Sequence, residues 1–241
     1  MKKYYLFILT LFMIPSVFPV TTLPEPEIIN TSAGKIKLYF LGHASLLLEF
    51  NQHNIYIDPW EKQADYSNFS KADLILITHE HQDHLDQQAI TRLSTPNTEI
   101  WCNPAVRNLL NTGVALKNGD KKSWKGVVIE AVPAYNTTAG RDKFHPKGRD
   151  NGYVLTFGDT RIYVAGDTED IPEMKSLGKI YAAILPMNQP YTMTPEQVVN
   201  AVSFIKPSVI YPYHTTEKDV SSLEKLLSGN KSVELRVRIS N

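Results

Sequence analysis

Residues 78–84 read Thr-His-Glu-His-Gln-Asp-His and directly follow an apolar run at residues 74–77. Six consecutive positions, 79–84, thus hold three imidazoles and two carboxylates. A strand turns alternate side chains to one face, so His79, His81 and Asp83 at a strand end can aim three donors at one region. His84 breaks that alternation, and its opposite offset lets it serve a second ion beside the first. Neutral imidazole with carboxylate suits zinc, or a neighbouring first-row metal such as manganese or iron, better than calcium or magnesium. The plain alternative is a solvated His-rich loop, but that gives three of the chain's seven histidines no reason to crowd together.

Such a cluster needs strands to carry it. Residues 36–41, 45–50, 55–58 and 74–78 read as strands by β-branched and aromatic content, with a turn at 51–54. A helix is expected over 87–93, a strand over 99–102 and a helix over 105–110. Residues 126–134, 153–157, 161–165 and 182–186 read as further strands. Thr194, Pro195 and Gln197 form a helix start, with Thr194 as N-cap and Gln197 completing a capping box. That helix should reach about residue 205, where Pro207 limits it. A strand over 209–213, a helix over 221–227 and a strand over 233–239 complete the chain. Two mixed halves of strands and helices predict an α/β fold, a sheet sandwich covered by helices on both outer faces.

Functional side chains on α/β scaffolds gather in loops just past strand ends. Three more candidates stand there: Asp58 after residues 55–57, Asp167 after 161–165 and Gly166, and His214 after 209–213. Gly166 lets the backbone approach an ion closely. The competing readings are a turn aspartate for Asp167 and a hydrogen-bonded rim histidine for His214.

In type, order and position after strands, His79, His81, Asp83, His84, Asp167, His214 and Asp58 resemble the metallo-β-lactamase superfamily of dinuclear metal hydrolases. The resemblance covers nearly all of residues 36–215. The phrases at 41–45, 166–168 and 191–196 look like its lactonase-like branch, which includes the ascorbate-6-phosphate lactonase, with N-acyl-phosphatidylethanolamine phospholipase D a more distant likeness. The resemblance implies a four-layer αββα sandwich. It also implies that His79 and His81 bind one metal, that Asp83, His84 and His214 bind the other, and that Asp167 bridges them. Asp58 is then expected to orient a ligand imidazole.

The family's further histidine on the first metal is missing after residues 127–134, which continue Tyr135-Asn136. His145, about ten residues on, is the expected substitute, since a loop of that length can return to the site. The alternative is an exposed loop histidine, with Tyr135, Asn136 or water filling the place. His43, in Gly-His-Ala-Ser before a strand, is expected to line the pocket and contact substrate or a ligand, against a structural role. His53, in the 51–54 turn, is expected to be solvated.

Two divalent ions about 3.5 Å apart can activate a shared water at neutral pH while one polarises the scissile group. No protein nucleophile is then needed, in keeping with the lack of a Gly-x-Ser-x-Gly elbow. Asp83 is expected to accept a hydrogen bond from that water and move a proton to the leaving group. Residues near Asn188, Gln189 and Tyr191 are expected to shape the pocket for a small-molecule lactone, ester or phosphodiester. The rival reading is a non-catalytic exported protein that uses the same ligands to carry metal.

Composition bounds the rest. The 241 residues, 42% of them apolar, fit one sizeable domain, and 25 basic against 25 acidic residues give no field for nucleic acid. The single cysteine, Cys102, excludes an intramolecular disulfide and reads as a small buried apolar residue. Residues 1–22 read as an export signal, a basic start before an apolar run broken by Pro15, placing the protein in a periplasmic or extracellular compartment. Membrane contact is expected only if that segment stays uncleaved as an anchor. Residues 23–35 read as a linker and 36–241 as one hydrolase domain.

Overall fold

The computed structural model describes residues 21–238, so the export signal expected at residues 1–22 lies almost wholly outside the described residues. Seven strands build a first sheet in chain order: β1 (Glu27–Thr31), β2 (Gly34–Gly42), β3 (Ser45–Phe50), β4 (His53–Ile57), β5 (Leu74–Ile77), β6 (Glu99–Cys102) and β7 (Val114–Ala115). Seven more build a second: β8 (Lys121–Trp124), β9 (Val127–Ala134), β10 (Asp150–Phe157), β11 (Thr160–Val164), β12 (Ala182–Met187), β13 (Val209–Thr215) and β14 (Glu234–Leu235). In each sheet the first four strands pair antiparallel and the last three add on in parallel. The two halves therefore share one topology although their sequences show no repeat.

Side-chain alternation explains the layering. Along β3, Leu46, Leu48 and Phe50 face the other sheet, where they join Ile129, Leu155 and Phe157, and Phe50 meets Phe157 edge to face at 4.9 Å. Leu47 points the other way, into a cluster with Ile75 and Ile77 beneath α1 (Gln87–Leu93) and α2 (Pro104–Leu110). On the second sheet Val154, Tyr163 and Leu185 face out beneath α3 (Pro195–Ile205) and α4 (Glu217–Leu227). The result is the four-layer αββα sandwich. Each apolar side chain fully withdrawn from water contributes roughly 1.5–3 kcal/mol before chain entropy is counted.

Three expectations need correction. The linker expected at 23–35 contains β1, which pairs through its whole length with β2. Its alternation is hidden in the sequence because one inward residue is an acid: Glu27 is buried and answered by Arg236 and Arg238 from the far end of the chain. α4 begins at Glu217 and not near 221, since Thr216 accepts the Asp219 N–H as N-cap and the first turn is polar. Among the described residues the last strand is Glu234–Leu235, and the Ile239 end of the strand expected at 233–239 lies outside them. The start of α3 is as expected, with Thr194 and Gln197 forming both bonds of a capping box.

Candidate metal centre

The candidate ligands other than His145 lie at or just past the ends of strands, and His145 comes from the loop between β9 and β10. β5 delivers Thr78 and His79, after which the chain tightens, with the N–H groups of His84 and Leu85 donating to His81 O at 2.9 and 2.8 Å. That turn brings His81, Asp83 and His84 back beneath the end of β5. His214 sits where β13 slips register against Pro186 and Met187, a bulge that re-aims its side chain. Its N–H donates to His43 O at 2.9 Å, tying the ends of β13 and β2 together. His43, Asp58 and His214 all hold positive φ, at 48°, 45° and 46°. Left-handed backbone at such residues costs about 1–3 kcal/mol each and persists where the surroundings demand it.

Asp167 occupies the middle. Its Oδ1 lies 3.4 Å from His84 Nε2, and its Oδ2 lies 3.5 Å from both His145 Nε2 and His214 Nε2 and 4.0 Å from His79 Nε2. Gly166 before it has φ 65°, and a Cβ there would stand 2.8 Å from Asn151 O, so the close approach requires glycine. His79, His81 and His145 bring one ligand atom each within 4.8 Å of one another, and His43, Asp83, His84 and His214 do the same on the other side. His145 is thus drawn fully into the site, while Tyr135 turns to Glu173 and Asn136 to Tyr191 O. His53 stays at the half-exposed edge, 3.3 Å from Asp73. Cys102 is buried elsewhere as a small core residue, its thiol pushed up to about 11 by burial.

The imidazoles are aimed from behind. Asp58 accepts from His84 Nδ1 at 2.8 Å, from Thr78 N at 2.8 Å and from Thr78 Oγ1 at 2.6 Å. With that hydroxyl proton spent on Asp58, Thr78 Oγ1 accepts from His79 Nδ1 at 3.0 Å. Asp150 does for His145 what Asp58 does for His84, meeting its Nδ1 at 3.0 Å while Arg149 holds both carboxylate oxygens and reaches Glu80 at 2.8 Å. Each Nε2 is left to face the centre. Sequence reasoning missed Asp150; the one signal was an acid opening an apolar alternation. It also missed Glu169, buried two residues past Asp167, which accepts the Thr137 and Thr138 N–H groups and pins the loop that carries His145.

Electrostatics and hydrogen bonding both ask for a cation. Burial raises the carboxyls of Asp83 and Asp167, yet their histidine neighbours outweigh it and hold Asp83 below, and Asp167 well below, the usual range. Both stay ionised. Burial, with help from His84, keeps His79 well below its ordinary pKa and so available as a neutral donor. His84 goes the other way: burial opposes its charge, but Asp167 and Asp58 prevail and lift it well above. The pull that retains a proton there favours a metal ion equally. His84 Nε2, His145 Nε2, His214 Nε2 and Asp167 Oδ1 are buried without a hydrogen-bond partner among the described residues. Leaving each unsatisfied costs about 1–3 kcal/mol, and all four converge where an ion would satisfy them. The donor set therefore fits a bound metal ion.

Beside the metal donors a cavity of about 400 Å³ opens, bordered by His81, Asp83, Asn188 and Tyr191. Asp83 forms its exposed wall, its side chain 31% accessible, with Oδ2 2.8 Å from His43 Nε2. His43 in turn lies tilted against His214, ring centres 3.7 Å apart, and approaches Trp60 at 5.0 Å.

If Asp150 fixes the tautomer of His145, Asp150→Asn should weaken metal binding on that side by roughly 10–100-fold, the usual effect of losing such a partner. An asparagine can meet His145 through its oxygen only by turning its NH2 toward Arg149, which also donates. Metal titration of the variant is the check, and an affinity within about twofold of the parent would remove Asp150 from the account.

Comparison with known proteins agrees with this geometry. A family model described as a beta-lactamase superfamily domain matches residues 37–214. A UPF0173 metal-dependent hydrolase of Thermococcus kodakarensis is 32% identical over 193 residues, covering 74% of this chain and 84% of the relative. The crystal structure of a protein from Parabacteroides distasonis, assigned as a metal-dependent hydrolase, is 47% identical with a TM-score of 0.87, covering 90% of this chain and 99% of that one. A metallo hydrolase of Ignicoccus hospitalis shares the fold at 24% identity and a TM-score of 0.72, over 85% of this chain and 95% of that one.

Proposed function

We propose that this chain, which belongs to the metallo-β-lactamase superfamily and is a metal-dependent hydrolase, works with two metal ions on a small lactone, ester or phosphodiester. The observation that carries the reading is Asp167, whose carboxylate lies within 3.4–4.0 Å of the Nε2 atoms of His79, His84, His145 and His214. His79, His81 and His145 would hold one ion, Asp83, His84 and His214 the other, and Asp167 both. With imidazole and carboxylate donors and no thiolate, zinc is the first choice and manganese or iron the next.

Ions held there supply an acidified water at neutral pH and polarise the bond to be broken. The chain's own residues do the rest. The histidine contacts of Asp83 all fall on Oδ2, so its other oxygen can accept a proton from the reacting water and pass it to the leaving group. His43 keeps that carboxylate turned toward the cavity. Burial lowers the His43 pKa despite Asp83 beside it, so the ring works as a neutral donor. A closed carrier site would have no need of a cavity at Asp83, which favours catalysis over metal storage.

Hydrolysis of a neutral aryl lactone and of a bis-aryl phosphodiester tests the reading. At least one should turn over, lose about 100-fold or more on chelation, and recover on adding zinc or manganese. A chelated protein that keeps its full rate would contradict it.

A further inference from the structure

The cavity over the metal centre says more about its occupant than the reaction class does. Its outer wall is an aromatic pair: Phe144 and Tyr191 meet edge to face at 4.9 Å, and Tyr191 is 43% exposed. The pair comes from two loops stitched together, since Asn136 Nδ2 donates to Tyr191 O at 2.7 Å and to Arg141 O at 3.3 Å. Tyr191 N also donates to Asn188 O at 3.0 Å, so the wall is in place before a ligand arrives.

Equally informative is what the wall lacks. Residues 135–149 carry four cations, Arg141, Lys143, Lys147 and Arg149, and none is among the described residues bordering the cavity. Three pair with carboxylates elsewhere, and the fourth rests on an aromatic ring of the wall. Arg141 pairs with Glu169, Lys147 with Glu173 and the Tyr135 hydroxyl, and Arg149 with Asp150 and Glu80, while Lys143 lies over the Phe144 ring at 5.0 Å. A pocket built for a phosphate or carboxylate handle would be bordered by such a cation. The polar groups bordering the cavity are Asn188, the Tyr191 hydroxyl and the metal ligands themselves.

We propose that this cavity selects a neutral ester or lactone whose acyl part bears an aromatic or other flat apolar group seated against Phe144 and Tyr191, and discriminates against substrates with an added anionic group. This rests on reading the site as an open metal centre that hydrolyses small molecules. In the reaction the oxygen of water joins the carbonyl carbon, the C–O bond to the leaving alcohol breaks, and a water proton goes to the leaving oxygen. A volume of about 400 Å³ is at the small end for ligand sites, in keeping with one ring and its ester.

Binding of hydroxamic acids to the metal-loaded protein, measured by calorimetry, separates the two readings because the hydroxamate end is constant. Benzohydroxamic acid should bind about tenfold or more tighter than acetohydroxamic acid, from ring burial and aromatic contact. The 4-carboxy derivative should lose that gain. In Tyr191→Ala and Phe144→Ala the benzo-to-aceto ratio should fall below about threefold, and in Tyr191→Phe it should be kept; metal content, measured alongside, reports an intact site. Equal affinity for the benzo and aceto compounds, or tighter binding of the carboxylated one, overturns the selectivity alone. Failure of all three to bind overturns the open metal centre as well.

Discussion

Replacing Asp167 by alanine is expected to empty both metal positions together, leaving well under half an equivalent of each ion, and to lower hydrolysis by ~10³-fold or more. The reason is geometric. Both oxygens of this one carboxylate face histidines, Oδ1 toward His84 and Oδ2 toward His79, His145 and His214. Loss of a residue that merely orients a ligand costs 10–100-fold in affinity, so loss of a shared ligand should exceed that on both sides at once. The four histidines would also lose the anion that faces all of them. Elemental analysis of the purified variant is the check. Retention of one full equivalent would restrict Asp167 to a single ion, and retention of two would remove it from the site.

A second large effect is expected at Asp83. Asp83→Asn keeps the size of the side chain and one oxygen able to meet His43, but it cannot carry a proton. At saturating metal, kcat should fall by about 10²–10⁴-fold, the range for a lost acid–base group, while KM changes little because the aromatic wall that holds substrate is untouched. Working at saturating metal separates this from any weaker binding of the ion beside His84 and His214. A fall of less than tenfold would mean that proton movement depends on another group.

How much of this was readable beforehand follows from how each residue is placed. His79, His81, Asp83 and His84 were legible because one strand end and one tight turn carry them all, so spacing alone fixes their convergence. Asp58, Asp167 and His214 were legible as polar residues stranded at the ends of apolar runs. His145 was a weaker inference: its place depends on a loop folded back by Glu169 and Asn136, contacts that no local pattern announces. Asp150 was missed for the same reason, since its partners Arg149 and His145 mean nothing until the loop closes. The strands of the core were legible from alternation. β1 was not, because its buried Glu27 depends on arginines some 200 residues away, and the short β7 and β8 bury too little to leave a pattern. The shared topology of the two sheets is a property of pairing, and pairing is not written in any single segment.

Two ions acting together are the central expectation for this centre. The most direct measurement strips the protein with chelator, returns zinc in steps, and follows bound metal and hydrolysis of the same neutral aryl ester in one titration. Activity is expected to climb until two equivalents per chain are bound and then level off, with little rate before the second ion enters. Full activity reached at one equivalent, or no activity with two ions bound, would contradict it.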